Sequence, residues 1–269
     1  MKWWKMVVVI VVAGLIVWWV NGKKQIEIIR RIPPVFENKS EIREIKIALT
    51  ADIHNDWGEF SKVVKMTKES GDELVVVVGD MTVYGKGEEL EKAKSELINS
   101  GIKYAVVPGN HDAYRSLAGK NIYDGVFSKR YQVVRIDDLK LILIDNSNYR
   151  GLGTDQWSWI KKEVIECKRL LCLAVMHMPL NNSFSTHLMG ENNAKVTAEA
   201  KKLLGLLVDN GVRQIEAGHL HYATSYELEG IRTDIVGAIS RERNTQSPRY
   251  TELVIRGNEI ERKVMEVEE

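Results

Sequence analysis

Glu44-Ile45-Lys46-Ile47-Ala48-Leu49-Thr50-Ala51-Asp52-Ile53-His54 runs a β-rich apolar segment straight into a carboxylate and an imidazole. Residues 44–50 read as a core strand, and the same arrangement recurs along the chain. Apolar runs at 73–78, 104–107, 171–176 and 212–217 are followed by Gly79-Asp80, Gly109-Asn110-His111-Asp112, His177 and Gly218-His219-Leu220-His221. Between them lie segments of helical period. Leu90, Ala93, Leu97 and Ile98 share one helix face ahead of Gly101, and Leu203, Leu204 and Leu207 share another ahead of Asn210-Gly211. Alternating strand and helix predicts α/β layering with polar groups at the carboxyl ends of the strands. Asp52 and Asp80 are 28 residues apart and Asp80 and Asn110 are 30 apart. A βαβ crossover has about that length, and neighbouring strand ends lie roughly 5 Å apart, so these side chains can converge.

The second half is richer in β-structure. Residues 131–136 and 139–146 flank Asp137-Asp138 as a hairpin, and 224–239 and 250–267 form further antiparallel pairs around Gly230 and Gly257-Asn258. Residues 181–195 have no clear period and read as a loop, and no internal repeat or low-complexity tract is present. Ahead of the first core strand, residues 26–32 read as a peripheral strand stopped by Pro33-Pro34.

The strand-end motifs use five of the six histidines, together with aspartates and an asparagine and without a thiolate. Such donors suit hard or borderline divalent cations such as Mn, Fe or Zn, and a pair of these cations favours phosphoester chemistry. Taken singly the motifs say little. Asp-x-His and Gly-Asp are common, Gly-His-x-His can be a polar turn, and a solitary His177 is an ordinary buried histidine. The ordered set of all five is the informative feature. His187 stands apart, in the 181–195 loop, where it is expected in solvent or on a lid.

In that order the motifs resemble the calcineurin-like metallophosphoesterase superfamily, and residues 52–221 carry the whole pattern. Leu143-Ile144-Asp145 followed by Gly153, Gln156 and Trp159 adds a weaker likeness. The resemblance implies two packed mixed β-sheets flanked by helices around a dinuclear metal site. It implies that Asp52, His54 and His221 hold one cation, that Asn110, His177 and His219 hold the other, and that Asp80 bridges both. It further implies attack on phosphorus by a hydroxide shared between the cations, with His111 facing the phosphate as charge stabiliser and acid, and Asp112 orienting His111. Val83 departs from a common form of the second motif, which has a further aspartate there. Residues 81–87 and 181–195 are expected to shape specificity.

Composition bounds the alternatives. At 269 residues and 44% apolar, the chain can bury one large core. Lys plus Arg number 38 and Asp plus Glu 37, a net charge of +1, and no basic stretch is interleaved with aromatics, which argues against a nuclease of the same superfamily. A non-catalytic binding module that keeps the fold is the other alternative, and the complete ligand set with His111 counts against it. Cys167 and Cys172 match no metal or CxxC spacing and are expected as buried or idle thiols.

The start of the chain differs from the rest. Residues 6–20 carry no charge, Trp3-Trp4 and Trp18-Trp19 flank them, and a helix over residues 3–20 would rise about 27 Å. This predicts a single-pass membrane anchor over residues 1–22 ahead of a catalytic domain over 23–269, in preference to a cleaved signal peptide, because no A-x-A-like site follows. Lys2 and Lys5 nearly balance Lys23, Lys24, Arg30 and Arg31, and a lean toward an extracytoplasmic domain comes from the ability of signal anchors to translocate long domains. The expected partners are the membrane and a phosphoester that is lipid-linked or derived from the envelope.

Overall fold

Alternation along each strand decides which layer every residue enters. The computed structural model describes residues 43–113 and 122–268. They form β1 (Glu44–Thr50), α1 (Trp57–Ser70), β2 (Leu74–Val78), α2 (Gly87–Asn99), β3 (Tyr104–Val107), α3 (Ile122–Val126), β4 (Gln132–Ile136) and β5 (Leu139–Ile144). There follow α4 (Thr154–Glu163), a 3-10 turn (Val164–Lys168), β6 (Leu171–Met176), α5 (Ala194–Asp209), β7 (Gln214–Ala217), β8 (Thr224–Leu228), β9 (Ile231–Ile235), β10 (Arg249–Arg256) and β11 (Glu259–Glu266).

Two mixed sheets result, ordered β11-β10-β1-β2-β3 and β4-β5-β6-β7-β9-β8. In the first, β1, β2 and β3 are parallel while β10 runs antiparallel to β1. In the second, β5, β6, β7 and β9 are parallel, with antiparallel β4 and β8 at the edges. Ile47, Leu49, Val76 and Val107 meet Leu141, Leu143, Leu173 and Val175 between the sheets. The alternate residues Ala48, Val75 and Val77 pack on Phe60 and Val63 of α1 and on Leu90 and Leu97 of α2. On the far side, Ile142, Ala174 and Ile215 pack on Ile160 of α4 and on Leu203 and Leu207 of α5. Strands buried on both faces read as continuous apolar runs, which is how the parallel ones appear in the sequence.

Local signals set the helix ends. The Asp56 side chain accepts the Glu59 N–H at the start of α1, and Gly71 ends that helix at φ 80°, a left-handed conformation that costs glycine little. Asn193 caps α5 through the N–H groups of Lys195 and Val196. Gln156 ties α4 to the end of β5. Its side chain accepts from Asp145 N at 2.8 Å and donates to Asp145 O at 2.8 Å. That reciprocal pair gives a physical reason for the Asp145…Gln156 spacing.

Ile98 is 57% exposed, so the buried stripe of α2 is Leu90, Ala93 and Leu97. Cys167 and Cys172 are buried as expected, yet they form a disulfide rather than free thiols, with Cα atoms 5.3 Å apart, because the 3-10 turn folds back onto the start of β6. The membrane helix over residues 1–22, the domain boundary after residue 22 and the strand at 26–32 all lie outside the described residues. Among the described residues no helix is long and apolar enough to cross a membrane.

Candidate metal centre

Each parallel strand ends at the same rim of its sheet, and the candidate side chains stand on the turns just beyond. Asp52 and His54 follow β1, Asp80 follows β2, Asn110 and His111 follow β3, His177 follows β6, and His219 and His221 follow β7. The turns are tight. Asp52, His54, Asp80, His219 and His221 all have positive φ, between 46° and 72°, where a side chain costs of order 1 kcal/mol. The surrounding backbone holds them there. Asp52 N donates to Gly79 O at 3.1 Å, His54 N to Asp80 O at 3.0 Å, and Gly218 N to His177 O at 2.9 Å.

Two groups of donor atoms converge and share one member. Asp52, His54, Asp80 and His221 form the first, and Asp80, His177 and His219 the second, the ligand atoms in each lying within 4.8 Å of one another. His54 Nε2 is 3.3 Å from His221 Nε2, and His219 Nδ1 is 3.2 Å from His177 Nε2. Asp80 Oδ2 is 3.2 Å from His177 Nε2 and 3.8 Å from His54 Nε2, and Asn110 Oδ1 is 3.1 Å from His177 Nε2. The structure therefore brings together all seven side chains expected as ligands.

Outer hydrogen bonds fix which nitrogen points inward. His177 Nδ1 lies 2.9 Å from Val78 O, and His221 Nδ1 lies 2.6 Å from Arg243 O. Because a carbonyl only accepts, each Nδ1 carries a proton and each Nε2 is the nitrogen turned toward the other donors. Asp52 and Asp80 are essentially fully buried and meet histidines rather than lysine or arginine. From protein groups alone, burial pushes Asp52 up to about 6 and depresses His54 and His219 to about 3, which keeps both rings neutral. Burial also disfavours the charged forms of Asp80 and His177, but their mutual attraction outweighs it, lowering Asp80 and lifting His177 to about 9. Imidazole nitrogens facing one another beside buried carboxylates make a donor set that a divalent cation fits.

Asp112 does not orient His111. Its carboxylate accepts from Gly109 N at 3.0 Å, Met81 N at 3.2 Å, Thr82 N at 3.0 Å and Thr82 Oγ1 at 2.9 Å, which stitches the turn after β2 to the turn after β3. The His111 ring is held instead by Val83 O, 2.6 Å from its Nδ1. The residue that stands where the motif commonly has an aspartate thus contributes through its backbone. His111 Nε2 points outward, 3.4 Å from Arg243 Nη1.

Sequence reasoning missed Arg243, which lies in an irregular stretch with no motif, and it missed the carbonyls of Val78, Val83 and Arg243, which no residue type announces. His187 is exposed, paired with Glu191 at 3.2 Å, yet its ring lies 6.3 Å from that of His219, so the sixth histidine stands at the border of the centre.

The architecture matches known enzymes. A dimetal phosphatase from Danio rerio superposes with a TM-score of 0.59 at 13% identity, covering 83% of this chain and 99% of that one. A purple acid phosphatase from yellow lupin gives 0.61 at 13% identity, covering 82% and 51%. These likenesses concern the fold. In sequence, the chain is 26% identical over 156 residues to a "Probable glycerophosphodiester phosphodiesterase" of Arcobacter nitrofigilis, covering 55% of this chain and 56% of that protein. It is 26% identical over 179 residues to a "Probable cyclic nucleotide phosphodiesterase" of Rhodococcus erythropolis, covering 62% and 57%. The chain thus spans a little over half the length of the curated relatives it matches. The calcineurin-like phosphoesterase family model matches residues 45–223, the stretch that carries every candidate ligand, and the chain belongs to that family of phosphate-ester hydrolases.

Proposed function

We propose that the chain hydrolyses phosphoesters with a two-cation centre, Asp52, His54 and His221 holding one ion, Asn110, His177 and His219 the other, and Asp80 both. The observation that carries this reading is Asp80, whose buried carboxylate belongs to both groups of converging donors. Cations bound there would supply Lewis-acid charge opposite the phosphoryl oxygens and a water of lowered pKa, shared between them as hydroxide. The chain's own residues do the rest. Val83 O keeps the His111 ring upright, so that its Nε2 faces the open side, where in protonated form it donates to a phosphoryl or leaving-group oxygen. Asp112 holds the two turns that carry Asp80 and Asn110 at a fixed separation.

The names of both curated relatives favour diesters among the substrates, and a net charge of +1 disfavours extended nucleic acid. The Trp-flanked segment over residues 1–22 supports tethering to a membrane, with the domain from residue 23 on its outer side and a lipid-linked or envelope-derived ester within reach. Protease access in sealed vesicles tests that orientation.

The activity is tested on the full chain stripped by chelator and assayed with bis(p-nitrophenyl) phosphate and p-nitrophenyl phosphate. Turnover is expected to vanish on stripping and to return with Mn, Fe or Zn as two ions bind per chain. Activity indifferent to chelation, or two bound ions without turnover of either ester, would overturn the proposal.

A further inference from the structure

We infer that Arg243 is the cation that grips the substrate's phosphoryl group and biases the centre toward esters carrying two negative charges. This rests on the phosphoesterase reading and deepens it.

Arg243 belongs to the loop between β9 and β10. The loop is tied down at several points. Ala238 bridges Ala51, Ser240 N donates to Asp52 O at 3.1 Å, and Arg241 donates to Glu59 Oε1 at 2.7 Å. Further on, Asn244 Nδ2 donates to Ala238 O at 2.8 Å, and Gln246 Oε1 accepts from Ala223 N at 2.8 Å. Arg243 lies between these anchors and has two separate attachments to the centre. Its carbonyl fixes His221, while its exposed guanidinium reaches His111 Nε2. Two arginines of one loop are thus used differently. Arg241 is engaged by Glu59, whereas Arg243 makes no ion pair among the described residues.

An exposed guanidinium held beside His111 at the edge of a cation centre has an anion as its natural ligand. The 3.4 Å between Arg243 Nη1 and His111 Nε2 lets one phosphoryl oxygen sit within hydrogen-bond reach of both. The attraction of the guanidinium grows with the charge on that group, so a dianionic monoester gains more from it than a monoanionic diester. Arg243 lies beyond residues 45–223, the part that matches the family model.

The test uses Arg243→Gln and Arg243→Lys in the full chain with cations restored. For p-nitrophenyl phosphate, Arg243→Gln is expected to lower kcat/KM about ten- to a hundredfold, mainly through KM, as loss of a charge-assisted hydrogen bond implies. The loss on bis(p-nitrophenyl) phosphate should be several times smaller, inorganic phosphate should inhibit more weakly, and Arg243→Lys should recover part of the monoester activity. Bound cations should be unchanged, because the backbone rather than the side chain holds His221. Equal losses on both esters, no loss, or a fall in bound cations would overturn the inference. If the wild type turns over neither ester, the phosphoesterase reading fails separately. Inorganic phosphate binding by the cation-loaded proteins then still decides this inference, with equal affinity in wild type and Arg243→Gln counting against it.

Discussion

His111 and Asp112 are chain neighbours with opposite duties. The imidazole has one nitrogen on Val83 O and the other facing outward, while the carboxylate is wholly buried and occupied by three backbone N–H groups and the Thr82 hydroxyl. His111→Ala should therefore reduce kcat by about 10²- to 10⁴-fold with bound cations and melting temperature near wild type. Asp112→Ala should instead lower the melting temperature and weaken cation binding, because each buried N–H left without an acceptor costs about 1–3 kcal/mol. Calorimetry and metal analysis of the two variants decide the matter. A normally stable, fully metallated but inactive Asp112→Ala protein would restore the orienting role that the sequence suggested. That suggestion erred for an identifiable reason. Adjacency in sequence made Asp112 the obvious partner of His111, whereas the true partner is a peptide oxygen, a group every residue carries.

At the scale of elements, the centre depends on how closely the strand-end turns approach. Gly109 has no room for a side chain, since a Cβ there would lie 2.0 Å from Asp80 Oδ1 and 2.3 Å from Asp80 N. Gly79 combines φ 85° with a Cβ position 2.4 Å from His177 Nδ1. Gly109→Ala should thus displace Asp80 and reduce binding at both cation positions together. Loss of one ion with the other retained, measured by titration of the stripped protein, would contradict the sharing of Asp80. These same turns explain what could be read in advance. Ligands that follow a strand end directly are local to a strong apolar signal, so Asp52, Asp80 and His177 could be placed from sequence. Arg243 comes eight residues after β9 in a loop without periodicity, and the Cys167–Cys172 pairing depends on a 3-10 turn whose fold-back leaves no pattern at that spacing.

Across the whole molecule, a second buried polar cluster joins the sheets away from the centre. Gln214 and Glu216 of β7 lie beside Asp234 of β9, and Arg262 of β11, in the opposite sheet, reaches Asp234 at 3.8 Å and donates to Ile235 O at 2.9 Å. Burial first, and then Asp234, push the Glu216 carboxyl up to about 8. A carboxyl whose folded value exceeds its unfolded value of about 4.5 contributes stability below that lower value, and the contribution is lost as pH rises through the upper one. The melting temperature should therefore fall between about pH 5 and about pH 8, and Glu216→Gln should flatten that slope. A variant that melts with the wild-type pH dependence would remove Glu216 as its source.

The pairing of β1 also has a consequence in time. β1 lies between β2, made soon after it, and β10, made far later, with Ile47 opposite both Leu74 and Leu253. During synthesis one edge of the central strand waits until β10 has been made, and contacts so distant in sequence form slowly. The Ala51–Ala238 bridge and the Arg243 carbonyl arrive with that same late segment. A nascent chain that ends ahead of Ala238 would carry every candidate donor atom yet lack the segment whose carbonyl steadies His221, so the centre takes its full form only once that later segment has been made.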